Sequence, residues 1–89
     1  AIYQERLKES GNPIVQIYLA EHHNQISVIK HLHEQYHIDV AIISAQIDYV
    51  GSIKFGILNL ELIGNPDQIA NGISYLTSNY SQTEIIGYV

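Results

Sequence analysis

The segment from Ile38 to Ile63 constrains this chain more than any other. It reads IDVAIISAQIDYVGSIKFGILNLELI, two long β-type runs separated by Gly51-Ser52. Both runs are dominated by branched aliphatic residues, and a Gly-Ser dipeptide suits a two-residue II′ turn. The pattern predicts a β-hairpin. The rest of the chain must then supply the layer that covers it.

Each flank carries one helix and one strand. Before the hairpin, Val15, Ile17 and Leu19 alternate with Gln16 and Tyr18, which is a strand pattern. Asn24 follows as an N-cap, and Ile26, Ile29, Leu32 and Tyr36 recur at helical spacing. After the hairpin, GNPDQI marks a helix start: Asn65 caps, Pro66 takes the first helical position, and Gln68 reaches back in a capping box. Ile69, Ile73 and Leu76 form that helix's inner stripe, with Tyr80 extending it, and TEIIGYV reads as a last strand. The order β-α-β-β-α-β, with right-handed crossovers, predicts an α+β ferredoxin-like sandwich. Its four-stranded antiparallel sheet carries two helices on one face.

Eighty-nine residues suffice for one small core and no second one. Residues 1–12 close on the breaker cluster Gly11-Asn12-Pro13 and read as a linker or lead-in from a preceding domain. Residues 13–89 read as the domain itself, and the start at Ala1 as a cut from something longer.

The pentapeptide His33-Glu34-Gln35-Tyr36-His37 matches the zinc-protease signature H-E-x-x-H. That chemistry needs both histidines on one continuous helix and a third ligand further along. Ile38 already opens a strand, so the helix is ending at Tyr36. All five histidines lie at or before position 37, and Glu61, a conceivable third ligand, belongs to a strand. His22, His23 and His31 are read as solvated. No metal site is expected. Cysteine is absent, which excludes thiol catalysis and thiolate sites. There is no P-loop and no nucleophile elbow, so no catalytic residue is assigned.

The same element order occurs in RNA-recognition domains, and Lys54-Phe55-Gly56 sits where their third-strand motif begins. Yet Ile57 and Leu60 occupy positions for stacking aromatics, and Tyr18 stands alone on the first strand. The net charge of −5 also opposes a polyanion. No nucleic-acid partner is expected.

The sheet itself is the distinctive feature. By strict alternation, Ile38, Val40 and Ile42 share one face of the second strand, while Ala41, Ile43, Ala45, Ile47 and Tyr49 share the other. On the third strand, Leu58, Leu60 and Leu62 oppose Phe55 and Ile57. One helix layer covers one face, so a doubly apolar hairpin leaves apolar surface over. A bulge near Ser44 that swaps faces would account for the pattern. The reading favoured here is a surface that buries against a second copy or a small apolar ligand. The second strand is an edge in this fold, and an unpaired edge beside apolar surface is resolved by self-association. Ile43, Ala45, Ile47 and Phe55 are the expected dimer contacts.

The hairpin AIISAQIDYVGSIKFGILNLELIG and the ending TEIIGYV resemble the NIL domain, the regulatory C-terminal domain of the ATP-binding subunit of bacterial methionine ABC importers. The likeness runs from about Pro13 to Val89 and includes the Gly51 turn, Lys54-Phe55-Gly56, Gly64 and Gly87. It implies a homodimer that binds methionine, or a similar apolar amino acid, near the pair interface to restrain transport. It places that ligand beside Val40, Ala41, Ile42 and Ile43. It further implies an ATPase in a separate domain of the parent chain, a membrane permease as partner, and a peripheral position on the cytoplasmic face of the membrane. No cofactor is implied for this domain. The Asn-Ile-Leu that names the family stands here as Ala41-Ile42-Ile43, so one side-chain amide is missing. A structural dimerisation module without ligand is the alternative. An acylphosphatase-like enzyme is remote, because the one arginine is Arg6 in the lead-in.

Overall fold

A computed structural model describes residues 11–21 and 23–89. The lead-in up to Ser10, Arg6 within it, and His22 lie outside the described residues. The elements are β1 (Pro13–Ala20), α1 (Gln25–Tyr36), β2 (Asp39–Val50), β3 (Ile53–Ile63), α2 (Pro66–Asn79) and β4 (Glu84–Tyr88). All three strand pairings are antiparallel, and the sheet order is β2-β3-β1-β4. This is the ferredoxin-like arrangement, with β2 and β4 as edges.

Local signals fix the ends of the elements. Gly51 has a φ of 63°, and Ser52 is absent from the positive-φ residues, which is the II′ pattern that joins Val50 to Ile53. Asn24 Oδ1 accepts from the backbone N–H groups of Ile26 and Ser27 at 2.8 and 3.2 Å. At α2 the capping box closes both ways: Gln68 N–H donates to Asn65 Oδ1 at 2.8 Å, and Asn65 N–H donates to Gln68 Oε1 at 3.1 Å. Helix α1 ends where His37 turns left-handed, at φ 59°. There the His37 and Ile38 N–H groups donate to the carbonyls of His33 and Leu32.

The core lies between the helices and one face of the sheet. Val15, Ile17 and Leu19 of β1 meet Leu58, Leu60 and Leu62 of β3, and Val28, Leu32, Ile38 and Leu76 close over them. Burying each of these side chains stabilises by about 1.5–3 kcal/mol. The inner stripe of α1 is set by Val28 and Leu32, with Ile29 and Tyr36 at its margin. Ile26, expected on that stripe, is 70 % exposed, because at about 100° per residue it lies on the far side of the helix from Val28 and Leu32.

Lengths explain the exposed hairpin. At about 3.3 Å per residue, the 12-residue β2 runs roughly 40 Å and the 8-residue β1 roughly 26 Å. Helices of 12 and 14 residues span only about 18 and 21 Å. The turn end of the hairpin therefore projects beyond its cover.

The faces of β2 differ from strict alternation. Its register against β3 shifts between Ile42 and Ser44, so Ile42 pairs with Leu60 and Ser44 with Asn59, leaving Ile43 as an extra residue. This β-bulge moves the odd positions that follow onto the even face. Val40, Ile42, Ala45 and Ile47 all lie on the helix side, opposite Leu62, Leu60, Leu58 and Gly56. The face assignment by alternation fails beyond residue 43 for that reason, and the alternative of a face-swapping bulge near Ser44 holds. The expected apolar surplus is nevertheless present: Ile47 is 61 % and Tyr49 60 % exposed, because the helices do not reach them.

Candidate functional site

The projecting hairpin and the first turn of α1 enclose a cleft of about 320 Å³. Its lining comes from β1 (Leu19), α1 (Gln25), β2 (Ala45, Gln46, Ile47) and β3 (Gly56, Ile57, Leu58). Three strands thus form the floor and a helix end forms one wall. The opposite side, along β2, is an unpaired sheet edge. Edge backbone groups of this kind are available to another strand or to a polar ligand.

The expected site residues divide among different surroundings. Ala45 and Ile47 line the cleft, and Val40, Ala41, Ile42 and Ile43 precede it on the same strand. Val40 and Ile42 share the cleft's side of the sheet. Ala41 is on the other side, opposite Glu61. Phe55 is also on the open face, where its ring stacks on Tyr18 at a centroid distance of 5.9 Å. Leu19, Gln25, Gly56, Ile57 and Leu58 were not singled out from sequence as site residues. The signal for Gly56 was a glycine in the interior of an apolar strand, a mark of close approach.

The open face carries a small polar network near the bulge. Asn12 Nδ2 donates to Glu61 Oε2 at 2.8 Å, and Asn59 Nδ2 donates to Ser44 Oγ at 2.8 Å. Asn59 Oδ1 is enclosed without a partner. A second cleft, of about 330 Å³, lies at the far end between α2 and β4, with Pro66, Ile69, Ile73 and Ile85 in its lining.

The H-E-x-x-H match does not form a metal site's geometry. His37 stands past the helix end in a left-handed conformation, so it is not stacked one turn above His33. His33 Nδ1 instead faces Asp39 Oδ1 at 3.3 Å, on a largely exposed surface where such a pair contributes little. Among the described residues no three histidines or carboxylates gather around a common point. His31 stacks on Tyr75 at 4.3 Å and His23 packs edge-on against Tyr80 at 4.9 Å, so these two are half-buried rather than solvated. Tyr36, Tyr75 and Tyr80 join them in a ring cluster packed against the core. Burial, with the neighbouring Tyr75 phenol adding to it, pushes the Tyr80 pKa up to about 12. With a core made wholly of aliphatic side chains, a chelator is expected to leave the melting temperature unchanged. A loss of several degrees, restored by stoichiometric zinc, would revive the metal reading.

Comparison with known proteins places this geometry in a family. A crystal structure of the C-terminal domain of an ABC transporter ATP-binding protein from Enterococcus faecalis superposes with a TM-score of 0.68. It is 25 % identical, and the match covers 90 % of this chain and 89 % of that one. The methionine import ATP-binding proteins MetN of Vibrio cholerae and Aliivibrio fischeri are 33 % and 30 % identical over 91 aligned positions. Each match covers 98 % of this chain and 26 % of the relative, so the chain spans about a quarter of the length of these curated relatives. No helix among the described residues is long and apolar enough to cross a membrane. The NIL domain profile matches residues 13–85, and the chain belongs to the NIL domain family.

Proposed function

We propose that this domain senses methionine, or a similar apolar amino acid, for the ATP-binding subunit of an importer, and that it does so as a homodimer. One observation carries the reading: a cleft of amino-acid size opens beside an unpaired, apolar β2 edge in a chain whose relatives are named as methionine import ATP-binding proteins. The apolar lining suits a thioether side chain, and the edge backbone of β2 suits the ligand's ammonium and carboxylate. Pairing β2 antiparallel with a second copy across the bulge brings the strand edge at residues 40–43 of each copy next to the same stretch of the other. Residues 40–43 and the cleft then belong to one composite site. Occupancy restrains the ATPase, which lies in a separate domain of the parent chain. That parent works with a membrane permease from the cytoplasmic side.

A second reading, a dimerisation module without ligand, is favoured by Ala41, where the family's side-chain amide is lost. Two measurements separate them. Calorimetric titration with methionine gives a stoichiometric isotherm under the sensing function and none under the alternative. Sedimentation gives a dimer for the wild type under both, and Ile43→Asp is expected to shift it to monomer, because it sets two like charges against each other at the centre of the pairing. A monomeric wild type at tens of micromolar, about a weak-dimer range, would overturn the pairing.

A further inference from the structure

We infer that Gly56 is the floor of the ligand's side-chain pocket, and that its missing side chain selects an unbranched chain such as methionine's. This deepens the sensing function proposed above and rests on it.

Leu19, Gly56 and Ile47 are register partners on β1, β3 and β2, so they form one row across the helix-side face of the sheet. Large aliphatic groups stand at both ends of the row and nothing stands in the middle. The next row inward, Ile17, Leu58 and Ala45, closes the inner end with two buried side chains. The result is a notch in the floor of the cleft.

A strand glycine calls for a reason, since it lowers sheet stability. Backbone conformation is not the reason, because the glycines with positive φ are Gly11 and Gly51. Packing is not the reason either. A Cβ on Gly56 would meet Leu19 Cβ at 3.7 Å and the Gln46 carbonyl oxygen at 3.8 Å, which is ordinary van der Waals contact. Gly72 shows the opposite case, where a Cβ would overlap Ile38 Cδ1 in the core. The chain on its own therefore has room for alanine at position 56 and does not use it. What the glycine provides is free volume facing the cleft.

The size of that volume points to its occupant. The cleft, at about 320 Å³, lies at the low end of small-molecule sites, which run from about 300 to 1,000 Å³. The strands flanking Gly56 are about 9–10 Å apart, and the Leu19 and Ile47 side chains take up much of that gap. A single file of methylene and sulfur atoms fits between them, whereas a chain branched at Cβ does not.

The test is calorimetry on the wild type, Gly56→Ala and Gly56→Val, with methionine, norleucine and isoleucine as ligands. Melting curves and a titration followed by amide chemical shifts accompany it. The wild type is expected to bind methionine and norleucine better than isoleucine, with the Gly56 amide among those that shift. Gly56→Ala is expected to bind methionine roughly tenfold or more weakly, the scale of one methyl group in a tight pocket. Gly56→Val should not bind it, and neither variant should melt lower. Three results overturn the assignment while leaving the sensing function standing: undiminished binding by the alanine variant, binding that leaves the Gly56 amide unmoved, or a melting temperature several degrees lower in Gly56→Ala. A wild type that binds no methionine at millimolar concentration removes the sensing function, and this assignment with it.

Discussion

Leu76→Ala is expected to destabilise the domain by about 2–5 kcal/mol, the cost of removing a buried leucine and leaving a cavity. Leu76 is 0 % exposed and is the residue by which α2 reaches the core cluster of Leu32, Ile38, Leu60 and Leu62. The other large side chains of α2 that pack on the core, Ile69, Ile73 and Tyr75, are only partly buried, so they cannot take over its contacts. A domain of 89 residues has a total stability of roughly 4–13 kcal/mol. The variant is therefore expected to melt some 10–30 °C lower. At the upper end of this range it would be largely unfolded at 37 °C. Thermal denaturation by circular dichroism reads this directly. A drop of only a degree or two would mean that α2 repacks, and that the core is less defined than its burial indicates.

The second large effect concerns affinity. Ala41→Asn is expected to tighten methionine binding, because it restores the amide that names the family. A hydrogen bond to a charged group contributes about 1.5–3 kcal/mol, which corresponds to roughly 10- to 150-fold in Kd. Ala41 is half-buried on β2, opposite Glu61, whose carboxylate already accepts from Asn12. A new amide there starts from the open face, across the sheet from the cleft, so it reaches the ligand's amino-acid group only around the β2 edge. Glu61 also competes for it, and the gain is therefore expected nearer the lower figure. Norleucine is the control: it keeps the chain length, lacks sulfur, and should gain from the same amide through its amino-acid group. Calorimetry on both proteins decides the matter. Equal affinities would place residue 41 out of the ligand's reach. Absence of binding by two folded dimers would leave the structural module as the function.

These expectations rest on unequal parts of the sequence. The elements and their ends were legible because each is fixed locally. The Asn65-Pro66-Gln68 box, the Asn24 cap and the Gly51-Ser52 turn act through hydrogen bonds or φ preferences within three residues, and all three form as expected. The alternation of Val15, Ile17 and Leu19 against Gln16 and Tyr18 likewise gave the buried face of β1. From these pieces, the rules of connection leave few topologies, and the ferredoxin-like one was among them. The family could be recognised from the hairpin for the same reason.

The candidate site was less legible: the doubly apolar pattern pointed to a bulge near Ser44, and the bulge is there, but the pattern does not say which residue is the extra one. Whether Ile43 or a neighbour is the extra residue depends on how β2 pairs with Leu60 and Asn59, some fifteen positions away in the chain. That choice put Ala45 and Ile47 on the helix side rather than the open one. The helix layer's reach was equally hidden, since it depends on where α1 lands on the sheet. The phase of α1 turned Ile26 outward, and the short helices left the hairpin's end uncovered. Gly56 stood in the sequence as one glycine in an apolar strand. Only the register of three strands set it between Leu19 and Ile47 and made it the floor of a cleft. The sequence by itself determined the elements, their order and the family, through interactions a few residues long. The tertiary structure decided which apolar groups face solvent together, because that depends on pairings between residues far apart in the chain.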